Sequence, residues 1–432
     1  PGHSFPPFAP LHRLHENIVS NSPTLPSPSH FLDSHAPRRS SRRLLATSLQ
    51  LGGTYRINPR ASHTHAGSTY QAAAMRRQSL LLLLAAATLL AATVSAQPGP
   101  TQPGPAQPVP TLPGPGPVPT LSPDFYSQTC PRAERIIAEV VQSKQMANPT
   151  TAAGVLRVFF HDCFVTGCDA SVLIAPTRFA KSEKDAEINH SLPGDAFDAV
   201  VRAKLALELE CPGVVSCADI LALASRVLVT MTGGPRYPIP LGRKDSLSSS
   251  PTAPDVELPH GNFTVGKIIE LFLAKGFSIQ EMVALSGAHT LGFSHCQEFA
   301  SRLYNYRDNG GKPAPFDPSM NPTYAKGLQA ACQDYQKDPT IAAFNDIMTP
   351  GKFDNMYYIN LQRGLGLLST DEELWSDLRT KPFVQRYAAN NTDFFEDFSK
   401  AMEKLSLYGV KTGAEGEIRR RCDAYNSGPI TV

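Results

Sequence analysis

Arg157 and His161 stand four residues apart in Arg157-Val-Phe-Phe-His161-Asp162-Cys163-Phe-Val-Thr-Gly167-Cys168-Asp169-Ala-Ser171. On a helix that spacing leans both side chains over one surface patch. The guanidinium is a permanent cation, and the imidazole is a base that titrates near neutrality. Val158, Phe159 and Phe160 lie between them, so the pair projects from apolar surroundings rather than from an ordinary solvated face. Directly afterwards Asp162, Asp169 and Ser171 crowd oxygen donors into a loop that Cys163 and Cys168 can tie shut. Such donors suit a hard cation. A base beside a fixed cation suits heterolysis of a peroxide bond. The base moves the proton from the near oxygen to the far one, while the cation steadies the charge growing on the leaving oxygen.

This stretch resembles the distal motif of the secretory plant haem peroxidases, the class III branch. Ala284-Leu-Ser-Gly-Ala-His289-Thr290 resembles that family's proximal segment, and the chain has the family's eight cysteines. The resemblance runs from about Leu121 to the C-terminus. It implies an all-α haem peroxidase fold with few short strands, four disulfides, and haem b (iron protoporphyrin IX) between distal and proximal helices. It implies His289 as the axial haem ligand. Asp371, in Ser369-Thr-Asp371-Glu-Glu, becomes the acceptor that fixes the tautomer of His289 and raises its basicity. Asn189, in Glu183-Lys-Asp-Ala-Glu-Ile-Asn189, becomes the amide that holds His161 in its basic tautomer. Pro259 matches the residue whose carbonyl orients the reducing substrate. Two Ca²⁺ sites are also implied. The distal one uses Asp162, Val165, Gly167, Asp169 and Ser171, with Glu183 reached through water. The proximal one uses Thr290, Asp346, Thr349, Lys352 and Asp354, and Val165, Gly167 and Lys352 contribute carbonyls. Spacing alone leaves 105 cysteine connectivities open. The resemblance implies Cys130–Cys211, Cys163–Cys168, Cys217–Cys422 and Cys296–Cys332.

The chain departs from the family's pattern in places. The family's usual Trp after Gly-Gly-Pro-x is Tyr237, and the single Trp375 lies elsewhere. Glu187 and Glu298 stand near the access edge, where well-known members often carry apolar or aromatic groups. Those changes bear on the choice of reducing substrate, not on the peroxide step.

The elements that must position these residues read as mostly helical. Pro131 is suited to open a helix with Ala133, Ile136, Ile137, Val140 and Val141 on one face. The distal helix begins near Thr151. Phe197, Val200, Val201 and Leu205 repeat at helical spacing. Ser216-Cys-Ala-Asp219 reads as an N-cap and first turn leading into Ile220–Val229, with Gly233-Gly234 as the stop. Ser278-Ile-Gln-Glu281 is a capping box before the proximal motif. Phe395, Phe398, Met402 and Leu405 mark an amphipathic C-terminal helix, and Tyr237–Leu241 is the best strand. No repeat of 20–50 residues is visible.

Upstream of this domain (121–432) the sequence changes character. Residues 1–74 mix Pro, Ser, Arg and His without an apolar period. They read as upstream sequence translated in frame, or as a disordered extension. Residues 75–96 read as a signal peptide: basic Met75-Arg-Arg, apolar Leu80–Leu90, and a small-residue cleavage site at Val94-Ser95-Ala96. The apolar run falls short of the roughly 20 residues of a membrane span. Residues 97–123 are Pro-rich and read as an extended spacer, with attachment to cell-wall polymers as the sharper alternative. A net charge of +2 and a pI near 8.2, with Lys and Arg scattered, exclude a nucleic-acid partner.

The reading is therefore a secreted, extracellular or cell-wall haem peroxidase, expected to be a monomer. It reduces H₂O₂ and oxidises small phenolic donors one electron at a time, with lignin or wall cross-linking as a use. A haem-binding but mainly structural wall protein is the rival, opposed by the complete set Arg157, His161, Asn189, His289 and Asp371. A calcium-dependent hydrolase built on His161–Asp162 lacks a nucleophile and a role for His289. Asn189-His-Ser191, Asn262-Phe-Thr264 and Asn390-Asn-Thr392 fit the N-glycosylation pattern.

Overall fold

The computed structural model describes residues 121–308 and 310–426. The readings of 1–74, 75–96 and most of 97–123 lie outside the described residues. Thirteen α-helices and four short strands are present among those described. The first four helices, α1 (Ala133–Ala147), α2 (Thr151–Phe164), α3 (Gly194–Glu210) and α4 (Cys217–Met231), pack on one another. Two of them, α2 and α4, are buried round nearly their whole circumference, which is why neither shows a clean amphipathic stripe. Close approach of α2 to the start of α3 needs Gly154, where a Cβ would lie 2.7 Å from the Pro193 ring.

Short helices α5 (Ala253–Glu257) and α6 (Val265–Ala274) lead to α7 (Ile279–Ser286). The capping box is present at α7: Ser278 Oγ accepts from Glu281 N–H, and the Glu281 carboxylate accepts from Ser278 N–H. From α7 the chain tightens into a 3₁₀ turn, Gly287–Thr290, that carries His289. After it come α8 (Cys296–Leu303), α9 (Pro322–Ala331), α10 (Met356–Gln362), α11 (Ser369–Ser376), α12 (Lys381–Ala389) and α13 (Asn391–Ser406). Helix α13 buries Phe394, Phe398, Met402 and Leu405 and lies against α7. The strands form two antiparallel pairs: β1 (Phe293–His295) with β4 (Ala342–Phe344), and β2 (Tyr306–Arg307) with β3 (Pro313–Ala314). A large core joins the distal and proximal helices, and a smaller one gathers around Cys296, Phe299, Leu303 and Leu328.

Four disulfides link Cys130–Cys211, Cys163–Cys168, Cys217–Cys422 and Cys296–Cys332. The third spans 205 residues and pins the C-terminal segment to the start of α4.

Three local expectations fail. Helix α1 starts at Ala133, after a turn through Pro131 and Arg132. Helix α3 buries Ala196, Ala199, Val200, Ala203 and Leu207, whereas Leu205 is 56% exposed. Alanines form its inner face because they let α1, α2 and α4 come close, so the larger residues are left on the flank. Tyr237–Leu241 is not a strand. Only Leu241 makes an antiparallel bridge, to Ser122, and without a second strand a β-prone run has no ladder to join. Tyr237 is buried instead, edge-on to Phe398.

Candidate active site

His161 sits in the last turn of α2 and is almost fully buried. Its Nδ1 lies 2.7 Å from Asn189 Oδ1. Asn189 Nδ2 donates to the Glu183 carbonyl at 2.8 Å. That second bond orients the amide, so its oxygen faces the ring. His161 Nδ1 must then carry the proton, and Nε2 is left as a bare base. Burial pushes the imidazole pKa down to about 3, helped by the charge of Arg157 and opposed by the Asn189 hydrogen bond. His161 is neutral across the physiological range. Arg157, one turn earlier, donates from Nη1 to the Ser191 carbonyl and from Nη2 to Ser191 Oγ, at 2.9 and 2.8 Å.

His289 presents the mirror arrangement. Its Nδ1 is 2.9 Å from Asp371 Oδ1 in α11, and the Tyr357 hydroxyl of α10 donates to the same oxygen at 2.9 Å. Burial pulls the His289 pKa down, but the charge and hydrogen bond of Asp371 together carry it above the ordinary value. With Nδ1 committed to Asp371, Nε2 is the free ring nitrogen. The His289 side chain keeps 43% of its surface accessible, although His161 across from it keeps almost none. Arg157's charge lowers the pKa of both rings, so each histidine lies within its electrostatic reach. A planar metal macrocycle with one axial imidazole fits this donor set.

Two oxygen-rich loops flank the histidines. In the distal loop, Asp162 Oδ2 accepts from Ala170 N–H at 3.0 Å, and Asp169 Oδ1 accepts from Ser171 N–H at 3.0 Å. Ser171 Oγ and Glu183 Oε2 are buried without a hydrogen-bond partner. Burial, then neighbouring Asp162, pushes the Glu183 carboxyl up to about 9; burial and Asp169 push Asp162 up as well. Buried acids crowded in this way fit a cation among them. The loop turns at Gly167 (φ +135°), where a Cβ would fall 2.2 Å from the Gly409 carbonyl oxygen, and Gly167 N–H bonds the Val165 carbonyl at 2.7 Å. In the proximal loop Thr290 Oγ1 lies 3.3 Å from Asp346 Oδ2 and 3.4 Å from the Lys352 carbonyl. Thr349 Oγ1 is 3.1 Å from both Asp346 Oδ2 and Asp354 Oδ1. Hydroxyls, carboxylates and a carbonyl gathered at one point fit a hard cation. Among the described residues no three His, Cys, Asp or Glu side chains are placed to hold a metal alone, so hydroxyl and carbonyl oxygens must complete either loop.

The peroxidase family profile matches residues 137–390. Peroxidase 65 of Arabidopsis thaliana is 57% identical over 310 residues, covering 72% of this chain and 90% of its own. Peroxidase 31 of the same plant is 56% identical over 306 residues, covering 71% and 94%. The chain belongs to the plant haem peroxidase family. It is an enzyme that reduces hydrogen peroxide, a donor:hydrogen-peroxide oxidoreductase.

In this peroxidase the loop of Pro259 follows α5 and is half-buried. Glu298, exposed on α8, comes close to that loop: its Oε2 is 3.8 Å from where a Cβ on Gly261 would stand. Its charge also opposes the downward push of burial on the Arg157 pKa. Glu187 lies exposed on the 3₁₀ turn of Asn189, and no effect of its charge on Arg157 or His161 is found. His260 is occupied elsewhere, with Nε2 2.8 Å from the Asp255 carbonyl. Sequence reasoning passed over Ser191, Tyr357 and Lys411. Tyr357 sits in Tyr357-Tyr358 and reads as core; only its hydroxyl's buried position gives it away.

Asn189 is expected to remain unglycosylated despite its acceptor pattern, because both amide atoms are committed inside the protein. Asn262 is exposed and free to be modified. Peptide mass spectrometry of active enzyme checks this: a glycan on Asn189 contradicts the His161 arrangement.

Proposed function

We propose that this peroxidase is secreted to the extracellular space or cell wall, holds haem b between His161 and His289, and oxidises small phenolic donors one electron at a time. The observation that carries the reading is the pair of oppositely tuned histidines, His161–Asn189 and His289–Asp371, both within electrostatic reach of Arg157. Bound haem iron supplies the electrons that break the O–O bond. His161 Nε2 takes the proton of the near oxygen and delivers it to the far one, and Arg157 stabilises the charge forming there. Asn189 keeps His161 from presenting a proton at Nε2. Asp371 aims His289 Nε2 and raises its basicity, with Tyr357 sharing the carboxylate oxygen. The Pro259 carbonyl orients the donor. Asp162, Asp169 and Ser171 in one loop and Thr290, Asp346 and Thr349 in the other would hold Ca²⁺, which would brace the end of α2 and the turn of His289. The secreted reading is supported by the four disulfides and by Met75–Ala96. No helix among the described residues is long and apolar enough to cross a membrane. The Pro-rich segment serves as a spacer, the enzyme works as a monomer, and wall phenolics such as lignin precursors are a use.

A visible spectrum of the purified protein tests this directly. A Soret band that shifts on adding H₂O₂ is the expected result. A band indifferent to peroxide makes the protein a structural haem binder.

Glu298 sets the donor prediction. A carboxylate beside the Pro259 loop disfavours carboxylated phenols, but exposed charges interact by only about 1 kcal/mol at 4 Å in water and less in salt. The expected effect is a few-fold preference in kcat/KM for a neutral phenol over its carboxylated analogue, shrinking as salt rises. Glu298→Gln should remove most of it and Glu187→Gln little. A ratio indifferent to salt and to both substitutions rules the charge effect out.

A further inference from the structure

Asp169 is in direct contact with a positive partner: its Oδ2 lies 2.5 Å from the Lys411 ammonium, whereas Arg419 acts on Asp162 through its charge. Asp169 is 1% and Lys411 27% exposed at the side chain, so this pair is much less screened than one at the surface. Lys411 is also held from behind. Its main chain forms an antiparallel bridge with Lys244, whose N–H bonds the Lys411 carbonyl at 2.8 Å. The segment continues to Arg419, fully buried, whose Nη1 donates to the Ala170 carbonyl at 2.8 Å and Nη2 to the Ser246 carbonyl at 2.6 Å. It then ends in the Cys217–Cys422 bridge.

The C-terminal segment thus brings two cations to a loop with three carboxylates, Asp162, Asp169 and Glu183. The proximal loop offers a contrast within the same molecule. Lys352 Nζ lies 3.1 Å from Asp354 Oδ2 but is 66% exposed. That lysine can swing into water, and its pairing with Asp354 is worth little. Meanwhile Ser171 Oγ and Glu183 Oε2 are both buried without a hydrogen-bond partner, and the lysine does not satisfy them.

We propose that Lys411 is a resident counter-cation of the distal loop, competing with Ca²⁺ for Asp169 and making this site weaker than the proximal one. The inference rests on the calcium reading of the two loops given above. An ammonium sharing a carboxylate with Ca²⁺ stands only a few ångströms from it. The repulsion between them, or the ion pair lost if the lysine turns away, lowers affinity by about tenfold or more. The same ammonium neutralises Asp169 when calcium is withdrawn, so the end of α2 does not face an uncompensated acidic cluster.

The test uses chelated holoenzyme, CaCl₂ as the probe and isothermal titration calorimetry. Asp169→Asn identifies the distal step as the one it removes or weakens. Lys411→Met keeps the apolar stem and removes the charge; Lys411→Gln is a second version should Met impair folding. Both should tighten the distal step by about tenfold or more, while leaving the proximal step within about threefold. Without calcium, the thermal midpoint of Lys411→Met should fall further below its calcium-loaded value than that of the wild type. Distal affinity unchanged or weakened in both Lys411 variants overturns the inference and leaves the calcium reading standing. No calcium step sensitive to Asp169, in wild type or in either variant, overturns both.

Discussion

His161→Ala should retain haem yet react with hydrogen peroxide about 10²–10⁴-fold more slowly, the usual loss for a general base. Haem retention is expected because His289, the proposed axial ligand, is untouched by the substitution and is held by Asp371. The loss is expected because His161 offers a bare Nε2 on a ring that burial keeps neutral. The pH dependence gives the sign independently. The His161 pKa is lowered to about 3, chiefly by burial, so the base stays unprotonated from neutrality well into acid. Wild-type peroxide reactivity should therefore be flat through pH 6.5, where a free imidazole takes up its proton, and should fall only as the pH approaches 3. Asn189→Val, which frees Nδ1, should lie between wild type and His161→Ala. Stopped-flow measurement of the peroxide step decides the matter. A His161→Ala rate near wild type removes the general base, and a wild-type midpoint near 6.5 removes the tuning.

What could be read in advance depended on the distance over which the physics acts. Arg157 and His161 are one helical turn apart, and the caps at Ser216 and Ser278 act within three residues. Such features are local, and the sequence displays them. His289 and Asp371 stand 82 residues apart, and the residues alone do not announce that pairing; it came from the resemblance to the family. The four cysteine pairs came the same way. Failures arose where tertiary packing overrode a local preference. Helix α3 turns its alanines inward because the neighbours need space, and the run Tyr237–Leu241 finds no strand to join beyond one bridge to Ser122. Lys411 and Tyr357 were invisible for a related reason. A lysine in a polar segment and a tyrosine in an aromatic pair are ordinary until the fold sets each beside a buried carboxylate, Asp169 or Asp371. Glu187 and Glu298 looked equivalent in sequence, and only the course of α8 brings one of them within electrostatic reach of Arg157.

Arg243→Met should destabilise the folded enzyme by about 3–5 kcal/mol, the cost of leaving a buried charge without its partner. Arg243 and Asp219 are both fully buried, with Nη1 2.8 Å from Oδ1. Asp219 Oδ2 also accepts from the Tyr126 hydroxyl at 2.6 Å and from Gly242 N–H at 2.7 Å. Arg243 further donates to the Pro240 carbonyl at 2.6 Å and from Nε to the Ser406 carbonyl at 3.0 Å. The pair therefore ties the first turn of α4 to the N-terminal segment, to the extended run before Gly242, and to the end of α13. Removing the guanidinium leaves Asp219 with three neutral donors inside the protein, the Tyr126 hydroxyl and the Gly242 and Arg243 N–H groups, too few to replace water for an ion. Neutralising the survivor should help: Arg243→Met/Asp219→Asn is expected to recover part of the loss, because no isolated charge remains. Urea unfolding with all disulfides oxidised measures this, as a lower midpoint at unchanged slope. A single substitution costing under about 1 kcal/mol, the scale of an exposed pair, means that water reaches Asp219 and that the pair does not hold these three segments together.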